Sequence, residues 1–435
     1  IHILRHTNYF NTIHNSVKIV RMAKYMNPYR SLKNKNYRKF WIAQSISLIG
    51  SWIDTTLRGW VAVSLFSEDK AAGFIGLIAF LKGFPSIFFS PIAGVLIDWF
   101  GAKSILFYTQ LLDAVNAFIM AYLVWKGLLS PVFLLVLSFA MGVTSGFYLP
   151  SRNTFISSIV DRSLLPNALA LHSMIFNVAR MVGPTIAGFI VKYYGLQLGF
   201  VINAISFVPL LVVLLIIPEE KIGYSKNNSF GKFFKDLFEG VKYVVKDRTL
   251  SLTLTGLSVY SLFGMPFGML MQAFVKSVVK SDIVGYGLIM GFMGLGAFIG
   301  ANIVGAVPPE RLIKLREELL LLIIGVNILI ASFYPTFTPY AALIIGACQS
   351  SFFNITNSRT QLLSPNHMKG RVMSLYSFIN TGGSPTGTFL LGLIGNKIGV
   401  RNSYVFSGII VTIYAISRIT FLVNHPKTVN TPTEK

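Results

Sequence analysis

One cysteine, Cys348, stands in 435 residues, so no disulfide can form within the chain. It falls in an apolar run, where a thiol serves as a small packing residue. Charge is scarce as well. Asp, Glu, Lys and Arg make up 12% of the residues, against about 25% in a soluble domain. No Gly-x-x-x-x-Gly-Lys-Ser/Thr loop occurs, which argues against ATP as a driving force. The apolar segments hold no Cys/His cluster and no nucleophile elbow, so neither a metal, a cofactor nor an enzymatic reaction is expected.

What the chain has in quantity is apolar surface: 53% hydrophobic residues, a mean hydropathy of +0.62, 36 Phe and 37 Gly. A membrane span needs about 20 mostly apolar residues. Twelve runs qualify: 39–66, 72–97, 104–125, 131–151, 166–191, 197–217, 249–275, 283–306, 317–334, 339–358, 371–395 and 402–423. Runs of this length are helices, whose backbone groups satisfy one another without water. An all-α membrane protein in contact with the lipid bilayer is expected.

In a soluble protein the net charge of +22 would suggest nucleic acid. Here the basic residues collect in alternate loops, and no nucleic-acid partner is expected. Lys24, Arg30, Lys33, Lys35, Arg38 and Lys39 precede the first span, and Arg152, Arg162, Lys226, Lys235, Arg248, Arg311, Lys369 and Arg371 fall between later pairs. The intervening loops, such as Ser67-Glu68-Asp69-Lys70, are short and poorer in Lys and Arg. The positive-inside rule then puts both termini in the cytoplasm.

The second half repeats the first. With Gly142 placed over Gly346, a shift of 204 residues, Pro131 falls on Pro335, Asn153 on Asn357, Gly183 on Gly387, Gly188 on Gly392 and Gly195 on Gly399 without a gap. The matches favour glycine, which marks close backbone approach. Repeated halves of six spans are the build of alternating-access transporters. The chain divides into an N-terminal segment 1–36, expected to be disordered; a first six-helix bundle 37–217; a linker 218–248; a second bundle 249–423; and a tail 424–435. Residues 1–21 hold no long apolar run and do not read as a signal peptide. In the linker, Phe230, Phe233, Phe234, Leu237, Val241, Val244 and Val245 share one helical face, which reads as an amphipathic helix on the membrane surface.

Short motifs narrow the class. Phe40-Trp41, Ser47-Leu48-Ile49-Gly50 and Trp60, followed by Gly94-Val95-Leu96-Ile97-Asp98-Trp99-Phe100-Gly101-Ala102-Lys103, resemble the opening of a major facilitator superfamily transporter. Gly183-Pro184-Thr185-Ile186-Ala187-Gly188 resembles that superfamily's antiporter motif in span five. Lys369-Gly370-Arg371-Val372-Met373-Ser374-Leu375-Tyr376 resembles the export branch that includes the enterobactin exporter and macrolide efflux proteins. The resemblance covers roughly residues 37–423 and implies the major facilitator fold, with twelve transmembrane helices in two pseudo-symmetric bundles. It departs from the pattern at Trp99 and Ala102, where arginines are usual, and at Ala187. The gate motif Gly94, Asp98, Gly101 and Lys103 puts a carboxylate at the end of span two. There it can engage a helix N-terminus or a cation in one conformation and not in another. Pro184 removes a backbone donor in mid-helix, so a kink is expected at Gly183-Pro184, near Gly188.

Ionisable residues at membrane depth are costly and are functional candidates by default. Span one carries Asp54 and Arg58, four apart and so on one face. Span two has Lys82, span three Asp113, and span five His172 and Arg180. Counting about 1.5 Å per residue, Asp54 lies roughly 21 Å in from Phe40, Lys82 roughly 24 Å from Asp98, Arg180 roughly 21 Å from Pro166 and Asp113 roughly 15 Å from Lys103. The second half has almost no interior charge apart from Arg359 and Arg418 near span ends.

Two readings of the charged layer stand side by side. It is a salt-bridge network that fixes the fold, or it couples transport to protons through Asp54 or Asp113, with the cations receiving an anionic substrate. By analogy with the family, spans one, four, seven and ten line the cavity. Their candidates are Gln44, Trp52, Tyr148, Tyr260, Gln272, Phe352, Phe353 and Asn354, which serve equally well as packing residues. The expectation is a monomeric secondary transporter of the cell membrane that exports an amphipathic, drug- or siderophore-like small molecule with protons as coupling ion. An importer or facilitator of the same fold, or a non-transporting scaffold or sensor, are the alternatives.

Overall fold

The first long helix begins where Asn34, in extended conformation, accepts a hydrogen bond from the Tyr37 amide and satisfies one of the free N–H groups of the first turn. The computed structural model describes residues 29–218, 230–312 and 315–424, and every regular element among them is helical. In chain order the longer ones are α1 (Lys35–Leu65), α2 (Glu68–Phe100), α3 (Ala102–Trp125), α4 (Pro131–Ile159), α5 (Leu165–Tyr194), α6 (Leu196–Ile216), α7 (Phe230–Lys246), α8 (Arg248–Met269), α9 (Ile283–Gly305), α10 (Glu317–Phe333), α11 (Thr338–Leu363), α12 (Lys369–Ile398) and α13 (Val400–Asn424). Eight of them, α2 to α6, α8, α9 and α13, are long and apolar enough to cross a membrane.

Many apolar side chains point outward. On α3, Leu112, Val115, Phe118, Ile119 and Tyr122 are exposed along the helix. An apolar surface of this extent suits lipid rather than water. The expectations for residues 1–28, 219–229 and 425–435 lie outside the described residues. Residues 30–36, assigned from sequence to a disordered segment, are instead ordered. A short 3-10 helix, Arg30–Lys33, leads into α1. Ser31 Oγ donates to Asn167 Oδ1 (2.6 Å), and Asn34 Nδ2 donates to the Ile159 carbonyl (2.9 Å). Short polar side chains thus tie the segment to α4 and α5.

Two spans are less regular than the sequence runs suggest. α6 is interrupted at Phe207, because Pro209 has no N–H to continue the ladder. The run 249–275 is not one α-helix. Before Pro266 the chain widens into a π-turn, Tyr260–Gly264, where the Met265 amide reaches the Tyr260 carbonyl (2.9 Å). After Leu270 come a short helix, Met271–Phe274, and a second π-turn, Val275–Val279.

The packing repeats. α2 packs on α4 as α9 packs on α11, α3 on α6 as α10 on α13, and α5 on α9 as α12 on α2. The glycine positions explain how. Gly142 of α4 lies against the Leu81 and Lys82 carbonyls of α2, and Gly346 of α11 lies against the Met293 carbonyl of α9. Gly183 abuts Trp52 of α1; Gly387 abuts Leu262 of α8. A Cβ on Gly188 would stand 2.9 Å from the Ile283 carbonyl, and one on Gly392 2.5 Å from that of Ala72. The glycines of each pair are separated by the same 204 residues. Gly195 and Gly399, again 204 apart, turn the chain with φ of 84° and 85°, a region open to glycine.

The named contacts between the two sets of helices gather at one end. The Gly73 amide donates to Asn396 Oδ1 (2.7 Å), Thr185 Oγ1 to the Gly287 carbonyl (2.9 Å), and Gln272 Nε2 to the Thr56 carbonyl (2.9 Å). This end carries Leu65, Tyr194 and Ile398.

Candidate functional site

The spacing of Asp54 and Arg58 turns both side chains to one face of α1. Arg58 Nε donates to Asp54 Oδ2 at 2.7 Å, with the two residues 1% and 0% exposed. Arg58 Nη2 reaches Asn116 Oδ1 of α3 (2.6 Å), and Asn116 Nδ2 donates to the Leu137 carbonyl of α4 (2.8 Å). One buried ion pair therefore laces three helices together. Such a pair adds little net stability, but removing one partner costs about 3–5 kcal/mol, because a charge is left buried alone.

Lys82 of α2 and Asp113 of α3 are held by hydroxyls instead. Lys82 Nζ donates to Thr55 Oγ1 (2.7 Å). Thr144 Oγ1 stands 2.6 Å from Asp113 Oδ1 and 3.0 Å from the Met141 carbonyl. A hydroxyl both donates and accepts, so it can serve either protonation state of a carboxyl group. When Asp113 is ionised, Thr144 donates to it. When Asp113 is protonated it donates to Thr144, and the threonine proton turns to the Met141 carbonyl. Arg58 can only donate, so protonating Asp54 Oδ2 breaks their bond.

Arg180 does not join this network. It lines a cavity of about 100 Å3 with Trp52, Thr55, Thr56 and Pro184 from the first half of the chain, and Met265, Met269, Gln272, Tyr286, Met290, Met293 and Gln349 from the second. Arg180 makes no hydrogen bond or ion pair with any described residue. Thr55 belongs to both places, since it faces the cavity and holds Lys82. Toward the contacted end the cavity is sealed by Gln272. Its amide bonds the Thr56 carbonyl and packs so tightly against Gly59 that a methyl there would overlap it.

The remaining sequence candidates are dispersed. Of the proposed cavity residues, Trp52 and Gln272 line the cavity. Tyr260 and Phe352 are fully buried and pack ring on ring, with Phe353 5.4 Å from Tyr260. Gln44 is buried in α1, Tyr148 stacks under the Arg152 guanidinium, and Asn354 is exposed. In the gate motif, Gly101 makes the turn from α2 to α3 with φ 85°, and Gly94 lies half-buried in α2. Lys103 Nζ reaches the Leu215 carbonyl (3.5 Å), and Asp98 makes no hydrogen bond or ion pair with a described residue. Pro184 lies within the continuous α5, with its carbonyl 2.8 Å from where a Cβ on Gly287 would stand.

Several partners of the deep charged groups carry no mark in the sequence. Asn116, Thr144 and Thr55 are ordinary polar residues, and only their partners mark them. The second half is less bare of charge than its runs suggest. Glu317 and Glu318 open α10 and are buried against Arg359 (3.2 Å) and Arg418 (2.9 Å). They sit at a span edge, where sequence cannot tell a loop acid from a buried one. His172 meets Arg152 at 2.7 Å. The linker helix α7 is anchored as well as amphipathic: Arg371 of α12 pairs with Asp236 (3.1 Å) and Glu239 (2.9 Å).

The family described as transmembrane secretion effector, within the major facilitator superfamily, matches residues 26–434. The chain belongs to that family. It is similar to macrolide efflux protein A of Streptococcus pyogenes, 21% identical over 90% of this chain and 96% of that one. It is equally similar to the staphyloferrin A transporter of Staphylococcus aureus, 21% identical over 85% of this chain and 92% of that one. Among solved structures, a variant of the peptide transporter POT superposes with a TM-score of 0.69 at 13% identity, covering 91% of this chain and 96% of that one. A bacterial homologue of the human lysosomal transporter Spinster, in an inward-facing and unoccupied conformation, gives 0.65 at 15%, covering 94% and 100%. These structural likenesses show the fold. The chain is a multi-pass membrane transporter of the efflux branch of the major facilitator superfamily, not an enzyme.

Proposed function

We propose that this transporter exports an amphipathic small molecule across the cell membrane by alternating access, in exchange for protons. The observation that carries the reading is the cavity between the two sets of helices. It has walls from α1 and α5 on one side and α8, α9 and α11 on the other, and contacts close it at one end. In this reading the chain acts as a monomer of twelve transmembrane helices in two six-helix halves, 37–217 and 249–423. The paired glycine contacts 204 residues apart support that division.

The end away from the contacts carries Lys103, Arg152, Arg162, Arg248, Lys369 and Arg371, so by the positive-inside rule it faces the cytoplasm, as do both termini. The cavity then loads from inside and releases outside when the Gln272 seal opens. Of the two deep carboxylates, Asp113 suits proton carriage better, because Thr144 can satisfy both of its protonation states. Asp54 and Arg58 hold α1 to α3. The unengaged Asp98 fits a cytoplasmic latch that forms only when the other end opens.

The test is flux in proteoliposomes with an imposed pH gradient, against dyes, macrolides and catecholates. Gradient-dependent movement of at least one class, with protons moving the other way, is expected. Binding without flux for every class points to a scaffold, and flux indifferent to pH removes the proton from the scheme.

A further inference from the structure

Resting on the transport reading above, we propose that Arg180 is the substrate-recognition cation of this transporter, and that its preferred substrates carry a carboxylate on an apolar body. The first observation is how charge is distributed around the cavity. Asp54 answers Arg58, Thr144 answers Asp113 and Thr55 answers Lys82, all within 2.7 Å. Arg180 alone of these deep ionisable groups has no described hydrogen-bond or ion-pair partner, and it faces the cavity. Arg180 is half-buried, and a guanidinium drawn partly out of water without a counter-charge is costly. That cost falls when an anion enters.

The second observation is a buried polar atom left open beside it. The Tyr260 hydroxyl has no hydrogen-bond partner among the described residues, its residue is 0% exposed, and it lies within electrostatic reach of Arg180. Tyr260 is not itself in the cavity wall, so its hydroxyl offers an open donor behind the guanidinium rather than a direct ligand contact. Both carboxylate deep in the first half, Asp54 and Asp113, are engaged with their own partners, so neither competes for the guanidinium.

The third observation is the rest of the wall. Met265, Met269, Met290 and Met293 face the cavity with Trp52. Unbranched, polarisable thioethers adapt to apolar bodies of different shape. Gln272 and Gln349 add neutral polar groups. The planar fork of Arg matches a carboxylate with two parallel hydrogen bonds, which Lys cannot do. The site is therefore strict about one end of its ligand and tolerant of the other.

The experiment uses dansylglycine and its neutral amide, dansylglycinamide, which share one fluorescent apolar body. Binding to the full-length protein in nanodiscs is read from the rise in dansyl emission. Flux of both probes, and of a neutral dye, is read in proteoliposomes. Wild-type protein should bind the acid about tenfold or more tightly than the amide, as expected for a hydrogen bond to a charged group. Arg180→Gln should abolish that preference, so that acid and amide bind with similar affinity, and Arg180→Lys should restore part of it. Equal binding of acid and amide by the wild type, or no saturable binding of the acid, overturns the proposal without any variant. So does a preference that survives Arg180→Gln. Flux of the neutral dye without any carboxylate preference sinks this proposal and leaves the transport reading standing. Carboxylate preference without flux of any probe does the reverse.

Discussion

Gly59→Ala tests whether the Gln272 seal governs the exchange between conformations. A Cβ at Gly59 would stand 2.6 Å from Gln272 Nε2 and overlap Oε1. The obstacle is the end of a flexible side chain, so the helices need not part, but the amide must leave. It then loses the 2.9 Å bond to the Thr56 carbonyl and leaves that buried site unsatisfied. The loss is about 1–3 kcal/mol. It falls only on the conformation in which α1 touches the short helix Met271–Phe274. The gain in helix propensity from Gly to Ala, about 1 kcal/mol, is common to both conformations and cancels. The closed-to-open ratio at this end should fall about five- to 150-fold. Lys70 and Lys397 are exposed on α2 and α12 at that end, and spin labels there, in a Cys348→Ala background, report the opening as a longer distance by double electron–electron resonance. Gln272→Ala removes the obstacle. The double variant should therefore resemble Gln272→Ala alone, and the two substitutions should be strongly non-additive. A distance distribution that Gly59→Ala leaves unchanged in well-folded protein, or simple additivity, would refute the reasoning.

Asp113→Asn should uncouple transport, keeping downhill movement but losing its response to the pH gradient, since the amide still meets Thr144 but cannot titrate; retained gradient drive would return the role to Asp54. Asp54→Ala should instead lower stability by about 3–5 kcal/mol, read as an earlier thermal transition, because Arg58 is left buried without its counter-charge. Gly346→Ala should destabilise the fold by about 1–3 kcal/mol, since a methyl there meets the Met293 backbone rather than a movable side chain; an unchanged melting temperature would mean that α9 and α11 can separate freely. Asp98→Asn should slow turnover with little loss of folded protein, and normal flux by correctly inserted protein would make Asp98 a plain loop residue.

Much of the fold was legible because membrane burial writes itself into composition. Long apolar runs leave the backbone no option but helix, and the 204-residue glycine repeat records where helices must touch. Gly142, Gly183 and Gly188 could be matched to Gly346, Gly387 and Gly392 before any contact was known. The helix breaks were partly legible: Pro266 and Pro209 are visible, but the π-turn at Tyr260–Gly264 depends on which carbonyl the Met265 amide finds. The burial of Glu317 and Glu318 was not legible, because their arginines are supplied by α11 and α13.

For the site, sequence by itself determined which ionisable groups sit deep, and that Asp54 and Arg58 share a face, since both follow from helical spacing within one segment. It could not sort those groups into neutralised and free. That depended on residues brought together from distant parts of the chain: Asn116 against Arg58, Thr144 against Asp113, Thr55 against Lys82, and nothing described against Arg180. Periodicity fixes the direction in which a side chain leaves its own helix. Only the packing of one helix on another decides what it meets there, and so whether a deep charge is satisfied by the protein or left for a substrate.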